Sequence, residues 1–334
     1  MDWLIFGFLL ADGLTNGAIY AMLALALVLV FAVTRVILIP MGELVMYAPL
    51  TYAFFLDGKL PGTVWLAALM LAGWAALEYR TPRQAVLLAL AAAAVLGIGV
   101  LGAHSTPLIA WIAAVLVVLP LGPATYRLFF EPIPRGTILV YLILAVGLHF
   151  VYRGLGLFFF GPEQFRPPAI TSGEVVIGSV PIPYQALWIY AFTALLMAGL
   201  YLFFTQSLYG KALRAAAVNR IGARLSGISP KEAGRVAFLI AMSAGALTGM
   251  LTAPLTNAAY DMGFLMGLKG FVAAILGGLT SYPLAAGGAL LVGLLEAYSS
   301  FAASAYKEAI VFALLLPVLV WRSLGTLELG GEEE

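Results

Sequence analysis

Ionisable side chains are few in this sequence, and three of them lie within otherwise apolar stretches. Glu43, Lys269 and Glu296 are each flanked by residues suited to a membrane interior. A charged group in such a place packs against a partner, lines a pathway or carries a proton. None of the three has an oppositely charged residue at helical spacing, so the sequence gives them no partner. We consider them possible pathway or packing residues, and Glu43 could equally lie solvated at the membrane interface.

Little other chemistry is available to the chain. It has no cysteine, which excludes disulfides and cysteine metal sites. His104 and His149 stand far apart with no carboxylate at ligand spacing. His149 lies one helical turn from Arg153, as expected for side chains that reach the interface near the outer end of a membrane helix. No nucleophile elbow or phosphate-binding loop occurs. We therefore expect no enzyme active site, no metal and no cofactor.

Composition sets the fold class. Of the 334 residues, 63% are hydrophobic and 10% are charged, whereas soluble domains carry roughly 25% charged residues. Apolar runs of about 20 residues, enough to cross a bilayer, recur along the whole chain. The sequence therefore predicts an all-α polytopic integral membrane protein, with a single transmembrane domain over 1–334 and about eleven transmembrane helices in contact with lipid. A net charge of +1 gives no indication of a nucleic-acid partner.

The main polar interruption is the segment 207–235. It holds six of the 17 basic residues: Lys211, Arg214, Arg220, Arg224, Lys231 and Arg235. One continuous helix would place basic residues on its apolar side, so two short helices fit better, with Asn219 capping the second. Ser229 to Glu232 has the pattern of a capping box that begins the next long helix. The segment is predicted to be a structured platform that either contacts anionic lipid or docks on a partner.

Charge also predicts the orientation of the chain. If 207–235 is cytosolic, twelve lysine and arginine residues fall on the cytosolic side and four on the outer side. This is the bias expected of a correctly oriented membrane protein. The N-terminus is then outside and the C-terminus cytosolic, in a multi-pass protein of the plasma membrane. The break at 161–183 becomes an external loop, and its 175–180 run predicts a small β-hairpin.

The order of residues within the platform resembles a known element. Gly210 to Ala215, Asn219, Ala223 to Leu225 and the pair at 227–228 resemble the coupling loop of branched-chain amino acid importers. These are permease subunits of ATP-binding cassette (ABC) uptake systems, and their loop docks on a cytosolic ATPase. The resemblance implies a cytosolic coupling helix and a set of ATPase-coupling residues: Lys211, Leu213, Arg214, Asn219, Arg224, Leu225 and Gly227.

Other stretches resemble the same family in the same order: 16–25, 42–43, 126–136, 267–271, 276–279, Glu296 and 322–325. Through them Gly267, Gly277 and Gly278 join the three ionisable residues as possible pathway or packing residues. Two departures stand out. The family usually has a histidine just before the glycine–glutamate pair at 42–43, which is absent here, and 63–106 carries a probable extra helical pair that we expect to be peripheral.

The resemblance implies a permease of an ABC importer that moves branched-chain or other aliphatic amino acids inward. It also implies partners: a second related permease in a heterodimer, two cytosolic ATPase subunits that hydrolyse ATP, and an extracytoplasmic solute-binding protein. One alternative is a permease of the same family for urea or short amides. The other is an ion-coupled secondary transporter, which needs paired ionisable groups at mid-membrane.

The absence of cysteine makes the orientation testable. We expect Ser172→Cys to react with an impermeant thiol reagent in intact cells, because 161–183 is predicted to be external. Ala217→Cys should react only after lysis, because 207–235 is predicted to be cytosolic. The cysteine-free parent chain gives the background signal, and strong labelling of Ala217→Cys from outside would reverse the predicted orientation.

Overall fold

The fold is almost entirely helical in the computed structural model, which describes residues 3–133, 136–279, 281–318 and 320. The helical segments are α1 (Trp3–Thr34), α2 (Met41–Leu56), α3 (Gly62–Leu77), α4 (Pro82–Ala103), α5 (Pro107–Val118), α6 (Leu121–Thr125), a π-helical turn (Tyr126–Phe130), α7 (Ile138–Phe160), α8 (Tyr184–Gln206), α9 (Leu208–Val218), α10 (Arg220–Leu225), α11 (Pro230–Thr256), α12 (Met262–Leu276), α13 (Tyr282–Ala303), a 3-10 turn (Ser304–Tyr306) and α14 (Lys307–Ala313). An antiparallel hairpin joins β1 (Glu174–Ile177) to β2 (Val180–Pro183).

Seven stretches of the described chain are helical, long and apolar enough to cross a membrane. Three further apolar helices, α2, α3 and α12, have only 15 or 16 residues each. A polytopic all-α membrane protein is therefore confirmed. The number of crossings and the side of each terminus stay predictions. The predicted closing segment 322–325 lies outside the described residues.

The centre of the fold consists of two units with the same order of elements. A long helix, an irregular break and a short helix follow one another in α1, 35–40 and α2, and again in α11, 257–261 and α12. Each break begins at a non-glycine residue with positive φ, Arg35 at 62° and Asn257 at 67°. Each short helix packs against the long helix of the other unit and against the other short helix. These four helices form the core around which the others are placed.

Small residues bring these core helices into backbone contact. A Cβ on Gly42 would overlap the carbonyl oxygen of Gly263, where α2 meets α12. A Cβ on Gly249 would likewise overlap the carbonyl of Val45, where α11 meets α2. Gly17 of α1 faces α13 just as closely. In lipid, helices associate through such close packing because there is little hydrophobic drive between them.

The segments predicted to be peripheral or external pack less deeply. α4 exposes most of its length and buries five residues. α3 is joined to α2 by a hydrogen bond, in which the Thr51 hydroxyl donates to the Thr63 hydroxyl at 2.8 Å. The predicted hairpin is present, with Gly178 at a φ of 67° in its turn. Phe165 pairs with Ala258 and so joins the loop at 161–183 to the break after α11.

The α2–α12 contact can be tested with a matched pair of glycines. Gly42→Ala adds a methyl group against the Gly263 carbonyl, and overpacking of this kind costs about 1–3 kcal/mol. That exceeds the gain of up to about 1 kcal/mol that alanine brings to a helix. Gly97→Ala on α4, where a Cβ meets nothing within 4 Å, should be neutral or slightly stabilising. We expect a lower melting temperature in detergent for Gly42→Ala only; equal effects would contradict the contact.

Candidate coupling platform and buried ionic sites

The platform consists of α9 and α10, and side-chain caps determine where both helices begin. The Gly210 N–H donates to the Ser207 hydroxyl at 2.9 Å at the start of α9, and the Gly222 N–H donates to Asn219 Oδ1 at 2.9 Å at the start of α10. The Glu232 N–H donates to the Ser229 hydroxyl at 3.4 Å at the start of α11. The predicted division into two short helices with Asn219 and Ser229 as caps is confirmed.

One side of the platform is attached to the membrane helices. Leu213, Ala216 and Ala223 are buried in a cluster that includes Phe204 of α8 and Ala233 of α11. Leu213 is only 3% exposed. Leu213 therefore packs within this chain and holds the platform against it, and its part in ATPase coupling stays a prediction.

The opposite side is exposed. It carries six of the residues that the sequence singled out: Lys211, Arg214, Asn219, Arg224, Leu225 and Gly227. Large apolar side chains are exposed here, among them Val218 at 88% and Leu225 at 85%. Sequence reasoning missed Val218, although its spacing from the buried Leu213 and Ala216 places it on the other face of α9. Basic groups and uncovered apolar groups together give this face the character of an interface.

Two of the basic residues at 207–235, both in the first two turns of α11, form ion pairs within the chain. Arg235 donates to both oxygens of Glu131, from Nε at 2.9 Å and Nη2 at 3.1 Å, and Lys231 Nζ lies 3.6 Å from the same carboxylate. Arg127 donates from Nε to Glu78 at 3.1 Å. Burial pushes the pKa of Glu78 up, but the hydrogen bond and charge of Arg127 and the charge of Arg235 bring it below its ordinary value. The network ties the end of α3 and the π-helical turn to the start of α11.

Lys269 has two carboxylate partners that its sequence neighbourhood does not reveal. Its Nζ lies 2.5 Å from Glu296 and 3.0 Å from Glu308. The Tyr20 hydroxyl donates to the other oxygen of Glu296. Lys269 and Glu296 are both buried. The cluster joins α1, α12, α13 and α14, so the expectation that these charges lack partners was wrong.

Glu43 is also paired, and with a histidine. Glu43 is completely buried, and its Oε1 lies 3.0 Å from His149 Nδ1 on α7. The His149 ring packs at 4.6 Å from the ring of Phe264. Of the two alternatives for Glu43, burial excludes the solvated one, and the expectation that His149 lies at the interface was wrong. An imidazole does reach the glycine–glutamate pair, but it comes from α7 and not from the residue before Gly42.

The three glycines predicted near the pathway occupy packing positions. Gly267 stands against the backbone of Gly42, so it belongs to the α2–α12 contact. A Cβ on Gly277 would lie 2.6 Å from the Ala285 nitrogen. Gly278 has a φ of 71° in the turn between α12 and α13, which favours glycine. Whether any of these residues also borders a pathway stays a prediction.

A groove lies along α1 between α8 and α13. Two cavities of about 530 and 510 Å³ form it and share Met197 and Pro283. Apolar side chains dominate the lining, with Arg214 and Tyr282 at one end. Within the described residues no group of three histidine or acidic residues could hold a metal ion.

The fold defines a multi-pass helical membrane protein. Residues 9–319 match the family described as branched-chain amino acid transport system, permease component, and the chain belongs to that family. It is 29% identical over 332 residues to the high-affinity branched-chain amino acid transport system permease protein BraD of Pseudomonas aeruginosa, covering 95% of this chain and 94% of BraD. LivH, the permease protein so named in Escherichia coli and Salmonella typhimurium, is 30% identical over 226 residues, 65% of this chain and 73% of LivH. No solved structure gives a significant match.

The Lys269–Glu296 pair can be tested by removing one charge and then both. Lys269→Met leaves a buried carboxylate without its cation, and breaking a buried pair in this way costs about 3–5 kcal/mol. We expect a large loss of folded protein on size-exclusion chromatography in detergent. Lys269→Met combined with Glu296→Met should recover part of that loss, because the buried carboxylate of Glu296 is removed, while the partly exposed Glu308 still has Lys307 at 4.0 Å. A double variant as unstable as the single one would contradict this account.

Proposed function

We propose that this chain is the membrane-spanning permease subunit of an ABC importer that moves branched-chain or other aliphatic amino acids into the cell. Its family membership supports the transport role. The substrate class is supported by the names of its curated relatives, which are permease proteins for high-affinity branched-chain amino acid transport.

The observation that carries the proposal is the two-sided platform. Leu213 and Ala223 hold it to the membrane helices, while Val218, Arg224 and Leu225 are left uncovered on its other face. An anchored platform with an exposed apolar and basic face suits docking of a cytosolic subunit that pushes on the membrane helices. Lys211, Arg214, Asn219 and Gly227 complete the proposed contact surface.

The proposed assembly has two copies of a cytosolic ATPase, a second related permease and an extracytoplasmic solute-binding protein. ATP hydrolysis belongs to the ATPase subunits, and the permease itself is not an enzyme. Each docked ATPase would contact one platform, which is why two permeases and two ATPases are proposed together. The binding protein would deliver solute to the outer face, where the loop at 161–183 lies in the proposed orientation.

The proposed topology has eleven membrane crossings in the plasma membrane, with the N-terminus outside and the C-terminus cytosolic. The 3-10 turn at Ser304–Tyr306 supports this number, because it divides the last long helical stretch into α13 and α14. The short helices α2, α3 and α12 account for three further crossings. In this orientation α1 runs inward and α11 outward, so the two units of long and short helix are inverted relative to each other.

Two alternatives differ in substrate or energy source. A permease of the same family for urea or short amides would share the platform and differ in the solute delivered. An ion-coupled secondary transporter is favoured by one observation, the buried pairs Glu43–His149 and Lys269–Glu296. Such a transporter would work without an ATPase subunit, which separates it from the proposal.

Charge changes on the exposed face test the proposal. Arg224→Glu and Leu225→Asp should insert in normal amounts, because both side chains are exposed and single surface charges contribute about 0–1 kcal/mol to stability. At a docked interface each change can cost about 2 kcal/mol or more, so ATP-driven uptake should fall by about tenfold or more. Copurification of the ATPase from membranes should fall in parallel.

The matched control is Arg83→Glu, a charge reversal at the exposed start of α4. It lies on the same predicted side of the membrane but on a different helix from the platform, so uptake and ATPase recovery should stay near the parent level. Normal uptake by the platform variants would remove the coupling role. Uptake in membranes that contain no ATPase subunit would favour the secondary transporter instead.

A further inference from the structure

The buried pair of Glu43 and His149 occupies a place that the coupling role does not explain. Glu43 is in the first turn of α2, directly after the Gly42 contact with α12, and it has no exposed surface. Although Nδ1 and Oε1 are 3.0 Å apart, the two groups are not oriented for a hydrogen bond. Among the described residues, neither carboxylate oxygen of Glu43 has a hydrogen-bond partner, and neither does His149 Nδ1.

The charged groups around this pair do not compensate Glu43. Arg153 follows His149 by one turn on α7, but it lies 3.9 Å from Asp261, in the break before α12, and both are partly exposed. The charges of Arg153 and Asp261 therefore largely cancel. The ionisable residue on α12 is Lys269, and it forms ion pairs with two other carboxylates. On α11 the ionisable residues are confined to its first two turns.

The hydroxyl groups nearby are also committed elsewhere. The Tyr47 hydroxyl, one turn along α2, donates to the backbone carbonyl of Tyr152 at 2.7 Å. The Tyr152 hydroxyl lies within hydrogen-bond distance of the Thr125 hydroxyl. The imidazole of His149 is thus the group in the described chain placed to balance the charge of Glu43.

We propose that Glu43 and His149 form a proton-binding site at the α2–α12 contact, in which the pair holds one proton, on the Glu43 carboxylate or on Nδ1. With that proton the pair is neutral, either as carboxylate and imidazolium or as carboxylic acid and imidazole. Without it, a lone carboxylate stands in an apolar, close-packed site, and an unpaired buried charge is strongly unfavourable. Loss of the proton therefore favours separation of α2 from α12, so that water reaches Glu43.

The proposed proton site can be tested on the purified permease in detergent, with no ATPase or binding protein present. A negative result would therefore refute the proton site without bearing on the coupling role. The measurement is the apparent melting temperature from pH 6 to 9. In the unfolded chain this proton is released above about pH 6.5, the value of a free histidine. The folded pair retains this proton. The stability that the pair contributes is therefore complete below about pH 6.5 and declines as the pH rises above it.

We expect the melting temperature of the parent protein to fall by roughly 2 °C per pH unit more than that of Glu43→Gln over this range. Glu43→Gln is neutral at every pH and needs no proton. Glu163→Gln, which removes an exposed carboxylate at 161–183, is the matched control and should follow the parent profile. Parallel profiles for the parent and Glu43→Gln would overturn the proposal.

His149→Gln gives a second reading that holds even if Glu43→Gln does not fold. The proton must then reside on Glu43 alone, and an unfolded glutamate releases it above about pH 4.3. When the measurement is extended down to about pH 4, the decline in melting temperature should therefore begin roughly two pH units lower than in the parent. A decline that still begins near pH 6.5 would show that His149 does not share the proton.

Discussion

Close backbone contact between glycine-bearing helices is the constraint on which this structure depends. Gly42 meets Gly263 and Gly267 where α2 and α12 cross, and Gly249 meets the carbonyl of Val45 where α11 crosses α2. Apolar helices gain little from each other in lipid unless their surfaces fit closely, and a missing Cβ permits the closest fit. The two short helices can therefore pack between the two long ones, and the remaining helices are placed around that core.

The buried charges depend on the same close packing. Lys269 and Glu296 come from different helices, and so do Glu43 and His149. Each pair is stable only if the helices that carry its members are held in register, because an unpaired charge in the core is costly. The glycine contacts supply that register. The ion pairs in turn disfavour any slip of one helix along the other, so packing and charge pairing specify the same arrangement.

Features set by local sequence could be predicted, and features set by distant contacts could not. The helical class, the hairpin and the caps at Asn219 and Ser229 follow from hydrophobic runs and short motifs. The partners of Lys269 lie 27 and 39 residues away on other helices, and no spacing rule reaches that far. His149 was placed at the interface for the same reason, since its burial is created by α2 and α12. The burial of Leu213 could not be predicted either, because it comes from α8 and α11.

The platform and the α2–α12 contact are connected by an unbroken series of packed elements. Leu213 and Ala223 pack in one cluster with Ala233 and Ala237 of α11. Along the same helix, Gly249 stands against the carbonyl of Val45 in α2, two residues from Glu43. Because α11 is a single continuous helix between these points, a movement imposed on the platform displaces α11 against α2. Under the proposed function, ATPase docking would then act on the core through α11. The displacement of α11 against α2 would occur next to the Glu43–His149 pair.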